Sequence, residues 1–283
     1  MAAIVISPVN RKGGVGKSSS VFHLAGHFAL HGQRVLLIDN EPQHSLTNGL
    51  IGPTAADHIA PEESTAALFL SEQLPTPEQV IQSTNLQGID LLPGSDALDA
   101  INGPIEQHPA ETQLAVKRFV ETVANNYDLI LIDNPPNLQL CTYSSLAASN
   151  VAYCIVKPQE YDVQGLVPVQ KALDRVLTTT NPKLRFSGYI LNMVQARRSL
   201  HQAYEERLRK RYGEKVFATT VPDWNDFAES LSARQPVSFY RRSSPAAQVM
   251  GQLAGELAAR IQQSFRQTPM LQFRPQHRTE EVA

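Results

Sequence analysis

The sequence predicts a doubly wound α/β domain, in which helices flank both faces of a mostly parallel sheet. Short apolar runs alternate with amphipathic helical patterns along the chain, which is the order that repeated β-α units produce. Several runs, such as residues 129–132, are continuously apolar, which is typical of strands that helices cover on both faces. The 283 residues, of which 42% are hydrophobic, suffice for a substantial core.

The first repeated unit is a β-loop-α-β segment. An apolar run at residues 3–9 predicts its first strand. Val21, Leu24 and Phe28 then recur at helical spacing, and a glycine follows them as a suitable helix stop. The predicted strands are residues 3–9, 34–39, 89–93, 128–133, 151–156 and 185–191, and the further predicted helices are residues 63–70, 111–124, 163–179, 200–212 and 245–265.

Charge is distributed unevenly along the chain. Residues 1–196 contain 11 Lys and Arg against 18 Asp and Glu, a balance of −7, whereas residues 197–278 contain 14 against 7, a balance of +7. The basic part is compatible with a surface for nucleic acid or anionic lipid, or with a solvated helix face. Residues 1–265 are predicted to form a single domain, and residues 266–283, which are polar and contain two prolines, a flexible tail.

Cysteine usage and the N-terminus predict a cytosolic protein. Cys141 and Cys154 lie in or near apolar segments without CxxC spacing, which argues against a disulfide framework or a zinc site. The N-terminus lacks a basic segment followed by a long apolar one, and no apolar run approaches the roughly 20 residues of a membrane span. His23, His27 and His31 could bind a metal from the first helix, but without an acidic companion a solvated helix edge is favoured.

The segment between the first strand and the first helix predicts a phosphate-binding loop. It reads Lys12-Gly13-Gly14-Val15-Gly16-Lys17-Ser18-Ser19. Its glycines allow successive backbone N–H groups to point at phosphate oxygens beside the helix N-terminus. Lys17 would add a cation at the β- and γ-phosphates, and the Ser18 hydroxyl would ligate Mg²⁺. Arg11 stands where the strict GxxxxGK[ST] motif has its first glycine, so a surface turn is the alternative, but the strand-loop-helix context favours phosphate binding.

The pattern KGGxGKS, with Lys12 ahead of the glycines, resembles the deviant phosphate loop of the ParA/MinD family of ATPases. The resemblance implies a P-loop NTPase fold of the deviant Walker A type, with ATP and Mg²⁺ as cofactors. It also implies that Lys12 reaches the nucleotide of a partner subunit, so that ATP binding and homodimer formation are coupled. A cation that meets the transferred phosphoryl only in the dimer would act as an arginine finger does.

Two carboxylate segments extend the resemblance. Residues 36–43 are similar to the family's DxDPQ switch with its second Asp replaced, which implies a Mg²⁺-shell role for Asp39 and a water-orienting role for Glu41. A misplacement of about 1 Å can cost about a hundredfold in rate, so the longer Glu41 predicts slow or partner-stimulated hydrolysis. Asp133 ends a predicted strand in a segment similar to the family's Walker B, where open α/β sheets bind ligands, although a turn residue is the alternative.

Further matches extend to about residue 262. Residues 157–161 and 164–166 resemble the strand-loop-helix that follows Walker B in the family. Asn192 resembles the family's adenine-contacting Asn, and Val221 with Pro222 resembles its second base-binding loop. Ordinary turn chemistry is the alternative for these loop positions.

The basic residues of the C-terminal part resemble a DNA-binding surface. Partitioning members of the family bind DNA non-specifically as ATP dimers, and residues 195–198 look like the family's DAR segment. The candidate phosphate contacts are Arg197, Arg198, Arg241 and Arg242.

One loop departs from the family pattern at this surface. Asp223 and Asp226 stand at both basic positions of the family's PRNxRLSEA loop, and acidic side chains repel phosphate. Either DNA is bound through the arginines named above, or another surface has replaced DNA. The regional charge of +7 favours DNA.

The resemblance implies a cytoplasmic, nucleoid-associated ATPase that positions or segregates a plasmid, a chromosome or another large cargo, stimulated by a ParB-like or other small adaptor protein. A MinD-like membrane role is disfavoured because Pro269 and Pro275 interrupt the segment that would form a lipid-binding helix. Two alternatives stay open: a nucleotide-dependent scaffold with little hydrolysis, suggested by Glu41, and a metabolic or redox enzyme on the same scaffold. Cys141 and Cys154 lack the glycine-rich surroundings of a subunit-bridging cluster, which weighs against the redox enzyme.

Overall fold

In the part of the chain that the structure describes, seven strands form one mostly parallel sheet. The computed structural model describes residues 2–158 and 162–265, although not the side chains of residues 162–165. The strands are β1 (Ile4–Val9), β2 (Val35–Asp39), β3 (Gln82–Ser83), β4 (Ile89–Leu92), β5 (Leu129–Asp133), β6 (Val151–Val156) and β7 (Arg185–Leu191). Their spatial order is β3-β4-β2-β5-β1-β6-β7, and every neighbouring pair is parallel except β3 with β4.

This sheet confirms the predicted doubly wound α/β class. Each of the six predicted strands is present, with bounds that differ from the prediction by at most one residue. β3 lies outside the prediction because a two-residue edge strand carries no periodic apolar pattern. The match at residues 159–161 and the tail at residues 266–283 lie outside the described residues.

Helices cover both faces of the sheet and connect its strands. They are α1 (Lys17–Leu30), α2 (Ser45–Ile51), α3 (Pro53–Ala56), α4 (Ala67–Leu70), α5 (Pro77–Val80), α6 (Ala110–Gln113), α7 (Ala115–Val123), α8 (Leu140–Ala148), α9 (Asp162–Thr178), α10 (Ser199–Tyr212), α11 (Asn225–Ser232), α12 (Val237–Tyr240) and α13 (Pro245–Ser264), with 3-10 turns at Pro61–Glu63, Asp96–Ala100, Ile105–Gln107 and Gly213–Lys215.

Two helix predictions are wrong in detail. The single helix predicted at residues 111–124 is divided at Leu114, whose φ of −101° and ψ of 9° leave the helical region and separate α6 from α7. The helix predicted at residues 63–70 is instead a 3-10 turn followed by the four-residue α4. Both segments are apolar enough to suggest helices, but the backbone turns within them.

The core consists of two layers that the central strands separate. In β5, Leu129 and Leu131 enter the layer formed with α1 and α13, whereas Ile130 and Ile132 enter the layer that contains Phe119 of α7. All four β5 side chains are fully buried. Alternate residues of a strand point to opposite faces, so a continuously apolar strand results from helices on both sides.

The carboxyl ends of the central strands meet at one edge of the sheet. The strand order reverses at β1. The chain passes from β1 to β2 on one side of it, and later places β6 and β7 on its other side. In an open α/β sheet, ligands bind at such a reversal of strand order. Across β2 and β5, Asp39 and Asp133 are register partners, which brings two predicted site carboxylates side by side. Within the described residues, no helix is both long and apolar enough to span a membrane.

Candidate functional site

The loop that follows β1 is anchored to the neighbouring strand β6. Asn10 is buried, and its Nδ2 donates a hydrogen bond to the carbonyl oxygen of Ile155 at 2.6 Å. Its Oδ1 accepts the backbone N–H of Lys12 at 3.0 Å. This asparagine therefore fixes the path of the chain where the loop leaves the sheet.

Two glycines give the loop its shape. Gly14 and Gly16 have φ angles of 68° and 94°, a region that side chains rarely allow. A Cβ on Gly16 would lie 2.1 Å from Nδ2 of Asn192, which donates to the carbonyl oxygen of Val15 at 2.7 Å. The glycine thus permits a close approach between the loop and the end of β7, and α1 begins directly after it at Lys17. This cradle of backbone groups at a helix N-terminus suits a phosphate group.

Lys17 lies inside the loop rather than in solvent. Its side chain is buried, and Nζ donates to the carbonyl oxygen of Lys12 at 3.3 Å. Burial lowers the pKa of Lys17, while the charges of Asp133 and Glu41 oppose that shift. A phosphate beside Nζ would favour the charged ammonium in the same way as these two carboxylates do.

Three buried carboxyl groups lie next to Lys17 and Ser18. Asp39, Glu41 and Asp133 are at most 8% exposed. Burial raises the pKa of each, and the charge of Asp39 raises the pKa of both Glu41 and Asp133 further. The Ser18 hydroxyl lies close enough to Glu41 and Asp133 to lower the pKa of both. The structure therefore brings together five of the predicted site residues.

The oxygen-rich cluster fits a Mg²⁺ ion that also contacts a phosphate. Asp133 Oδ2 is buried and has no hydrogen-bond partner among the described residues, so it can accept one more ligand. Within residues 2–158 and 162–265, no three Asp, Glu, His or Cys side chains are arranged to hold a metal ion by themselves. Mg²⁺ commonly binds through one or two carboxylates together with substrate phosphates and water. Ser18, Asp39 and Asp133 would supply the protein side of such a site.

Two residues that the sequence did not indicate hold Asp39 in place. The backbone N–H and the hydroxyl of Thr47 donate to Asp39 Oδ2 at 2.8 and 2.7 Å. The N–H of Gly94 donates to Thr47 Oγ1 at 2.9 Å, and a Cβ on Gly94 would lie 3.0 Å from the Asp39 carboxyl carbon. Thr47 and Gly94 belong to α2 and to the segment after β4, so no local motif announces them.

A cavity of about 170 Å³ adjoins the start of α1. Ser19, Asn192 and Pro222 line it together, which unites the phosphate loop with both predicted base-contacting segments. Its volume is below the roughly 300–1,000 Å³ of pockets for whole drug-sized ligands, so it suits one heterocycle. His23, Met193, Trp224 and Phe227 also line this cavity, and no sequence motif marks them as part of a base site.

The prediction that the histidines of α1 lie on a solvated helix edge is wrong for His23. His23 is 1% exposed, because α12 packs against α1 and the Val237 N–H donates to His23 Nδ1 at 3.1 Å. Burial lowers the pKa of His23 to about 3. His27 and His31 are partly exposed, and their ring centroids are 4.2 Å apart. The first histidine is thus a neutral interior residue.

The four candidate DNA-contacting arginines lie in two segments with different surroundings. Arg241 forms ion pairs with Asp226 at 2.9 Å and with Glu229 at 3.0 Å. Arg197, Arg198 and Arg242 are exposed and form no ion pair with the described residues. The predicted DNA contact Arg241 is therefore already paired with Asp226, the acidic residue that stands at a basic position of the family's loop.

The other acidic replacement is also held within its own loop. Asp223 accepts a hydrogen bond from Gln195 Nε2 at 2.7 Å. Asp223 directly follows Pro222, which is bridged to Val194. Its contact with Gln195 therefore ties this loop to the segment that carries Arg197 and Arg198. The position of Asp223 thus keeps a negative charge near the two exposed arginines.

Replacing Asp133 with asparagine is expected to stabilise the nucleotide-free protein at high pH. A carboxyl whose folded pKa is raised contributes stability below its unfolded pKa, about 3.9, and loses that contribution as pH rises through the folded pKa. We therefore expect the melting temperature of Asp133→Asn to exceed that of the wild type by about 2–4 °C per kcal/mol recovered, more at pH 8 than at pH 5.

The exposed Asp57 provides the control for this measurement, since Asp57→Asn makes the same chemical change outside the site. Thermal melts without nucleotide or Mg²⁺ at pH 5, 6.5 and 8 check the result. The prediction is contradicted if the difference in melting temperature between Asp133→Asn and the wild type is no larger at pH 8 than at pH 5.

Comparisons with known proteins place these features among nucleotide-binding folds. A family model described as AAA domain matches residues 3–186. The chromosome-partitioning ATPase Soj of Thermus thermophilus is 33% identical over 259 residues, which cover 92% of this chain and 97% of Soj.

Two solved structures share the fold at lower identity. Cobyrinic acid a,c-diamide synthase from Mycobacterium smegmatis, with bound ADP and magnesium, has a TM-score of 0.75 and 23% identity, covering 95% of this chain and 99% of its own. A putative plasmid partition protein from Borrelia burgdorferi, bound to AMPPNP, has a TM-score of 0.74 and 18% identity, covering 92% and 99%. The same fold therefore serves both a biosynthetic enzyme and a partition protein.

Proposed function

This chain belongs to the ParA/MinD family of ATPases, and on that premise we propose that it is a ParA-like ATPase that forms an ATP-sandwich dimer, binds DNA non-specifically and positions or segregates a large cargo. The observation that carries the proposal is the junction of a glycine-shaped phosphate loop with three buried carboxyl groups. A plasmid, a chromosome or another large assembly would be the cargo, carried on the nucleoid in the cytoplasm. A ParB-like or other small adaptor protein would stimulate hydrolysis.

Each site residue has a role in hydrolysis that its surroundings support. The loop N–H groups from Gly13 to Ser19 would bind the phosphates, and Lys17 would stabilise the charge that develops on the γ-phosphoryl oxygens. Bound Mg²⁺ would neutralise charge between the β- and γ-phosphates. Ser18, Asp39 and Asp133 would hold the ion directly or through water.

Two further groups would act on the attacking water and on the transferred phosphoryl. Glu41 follows β2 by two residues and lies near Lys17 and Ser18, where its carboxylate can orient a water in line with the γ-phosphate. Lys12 would come from the partner subunit and meet the phosphoryl only in the dimer. In this arrangement ATP closes the dimer, and hydrolysis opens it.

The nucleobase would occupy the cavity beside Ser19. Asn192 lies between that cavity and the phosphate loop, because its Nδ2 is bound to the Val15 carbonyl. Pro222 covers another side of the same space. A base in this cavity and phosphates in the loop would occupy adjacent sites, as the two ends of one nucleoside triphosphate require.

A nucleotide-dependent scaffold with little hydrolysis is the second candidate function. Glu41 favours it, because the additional methylene moves the carboxylate relative to an aspartate and misplacement of about 1 Å can cost a hundredfold in rate. The Arg241–Asp226 ion pair also favours a surface that is not DNA. These two features do not affect the proposed ATP binding.

DNA binding that depends on the nucleotide tests the proposed function. Wild-type protein with ATP and Mg²⁺ is expected to bind random-sequence duplex DNA, with an affinity that falls steeply as salt rises, and to bind it weakly with ADP. Phosphate release measured with and without DNA and adaptor distinguishes an ATPase from a scaffold. Equal DNA binding with ATP and ADP would contradict a nucleotide-controlled surface.

The arginines are expected to contribute unequally to DNA binding. Arg197→Ala with Arg198→Ala should weaken binding and make the slope of log affinity against log salt shallower by about 1.8, the value for two lost phosphate contacts. Arg241→Ala should leave that slope unchanged, because its guanidinium is already paired with Asp226 and Glu229. Fluorescence anisotropy with labelled duplex between 50 and 200 mM salt checks both. A slope altered by Arg241→Ala alone would contradict this assignment.

A further inference from the structure

We propose that His23 is a specificity-determining residue, whose Nε2–H donates a hydrogen bond to the unprotonated N1 of a bound adenine. The inference rests on the proposed ATP binding and adds one residue to the base site. It assigns a function to a polar group that the fold leaves buried and unpaired among the described residues.

The hydrogen bonding of the imidazole defines which nitrogen carries the proton. Nδ1 accepts the backbone N–H of Val237 at 3.1 Å, so Nδ1 bears a lone pair. Burial lowers the pKa of His23 to about 3, and the ring is therefore neutral at physiological pH. In a neutral imidazole with an accepting Nδ1, the hydrogen is on Nε2. The free edge of this ring is thus a donor.

That donor has no acceptor in the described part of the chain. Nε2 of His23 is buried and lacks a hydrogen-bond partner, although buried polar groups nearly always have one. The ring cannot turn away easily, because Phe22 and Phe227 flank it with ring centroids at 5.2 and 5.1 Å. An unpaired donor fixed in this way suits a partner that comes from outside the chain.

The same histidine lines the cavity beside the phosphate loop. His23 lies on α1 four residues after Ser19, which is one helical turn, so both side chains face the same side of that helix. The cavity is otherwise mainly apolar, with Phe227, Met250 and Leu253 in its wall. In apolar surroundings, one oriented donor has a large influence on which heterocycle can enter.

Adenine meets this requirement better than guanine does. N1 of adenine is an acceptor, whereas N1 of guanine carries a hydrogen and would oppose the Nε2–H; N3 and N7 are acceptors in both purines and would not distinguish them. A buried donor facing another donor leaves both unpaired, which costs more than a hydrogen bond gains. The arrangement therefore favours adenosine nucleotides over guanosine nucleotides.

Two substitutions of His23 separate the donor from the acceptor. His23→Asn places an amide oxygen near the Nδ1 position, so it can keep the contact with Val237 but lacks a donor at Nε2. His23→Gln extends an amide nitrogen to the Nε2 position and keeps a donor there. Trp224, the single tryptophan of the chain, lines the same cavity and is 41% exposed, so its fluorescence reports occupancy without hydrolysis.

Titrations of ATP and GTP with Mg²⁺ test the proposal. The wild type and His23→Gln should prefer ATP by at least about tenfold, and His23→Asn should bind ATP about threefold to tenfold more weakly, with a correspondingly smaller preference. Competition by inorganic triphosphate should be equal for all three proteins, because it lacks a base. An unchanged ATP preference in His23→Asn would overturn the proposal.

Nucleotide analogues keep the test decisive if a variant does not fold. On the wild type, 1-deaza-ATP, which lacks the N1 acceptor, should bind about threefold to tenfold more weakly than 3-deaza-ATP and 7-deaza-ATP. Equal binding of all three would overturn the role of His23. Failure of the wild type to bind ATP at all would instead overturn the proposed function.

Discussion

Replacing Lys12 with alanine is expected to lower stimulated phosphate release by about a thousandfold or more, while each monomer still binds ATP. A cation supplied from another subunit to a transferred phosphoryl contributes about 10³–10⁵ in rate. The loop itself should persist, because Lys12 contacts Asn10 and Lys17 through its backbone N–H and carbonyl, which alanine retains. The variant thus removes the side chain and leaves the phosphate cradle intact.

The neighbouring Arg11 provides a matched control for this variant. Arg11 is exposed and adjoins Lys12 at the same loop, so Arg11→Ala removes a similar charge from a similar position. We expect its phosphate release to stay within about twofold of the wild type, as for most exposed charges away from a reacting centre. Turnover by Lys12→Ala that is equal to that of Arg11→Ala would count against a catalytic role of Lys12 in the dimer.

Replacing Glu41 with aspartate is expected to accelerate hydrolysis by up to about a hundredfold. Glu41 is buried, and Ser18 and Ser45 lie beside its carboxyl group and lower its pKa, so its position is defined by the site rather than by solvent. If the longer side chain displaces the water-orienting oxygens, a shorter one restores them. Single-turnover phosphate release with prebound ATP measures this step apart from nucleotide exchange.

A second substitution distinguishes length from charge. Glu41→Gln retains the length and removes the carboxylate, so it should hydrolyse ATP more slowly than the wild type and still bind it. Slower hydrolysis by Glu41→Asp would show that the glutamate is already well placed. In that case the slow-turnover expectation loses its basis, and the scaffold function loses its main support.

The candidate phosphate-binding edge of the sheet could be predicted from sequence because local signals define it. The apolar strands that end in Asp39 and Asp133 carry the carboxylates, and strand register then aligns the two. The glycines and Lys17 follow β1 directly, where a strand-loop-helix unit needs them. Periodicity and motif spacing are local properties, so one sequence contains them.

The rest of the site depends on contacts between distant segments. Nothing near His23 in the sequence indicates that Val237, which is 214 positions away, would cover it. Thr47 likewise meets Asp39 only because α2 folds back over the end of β2. The Arg241–Asp226 ion pair also joins separate segments, α11 and the residue that follows α12. Such contacts arise from tertiary packing, which overrides local patterns.

Sedimentation velocity of the wild-type protein with different nucleotides tests the central proposal most directly. With ATP and Mg²⁺ the protein should sediment as a dimer, and with ADP and Mg²⁺ or without nucleotide as a monomer. Lys12→Ala should shift the ATP-bound protein toward the monomer, and Arg11→Ala should not. A monomer with saturating ATP, or a dimer that forms equally without nucleotide, would contradict an ATP-dependent two-subunit site.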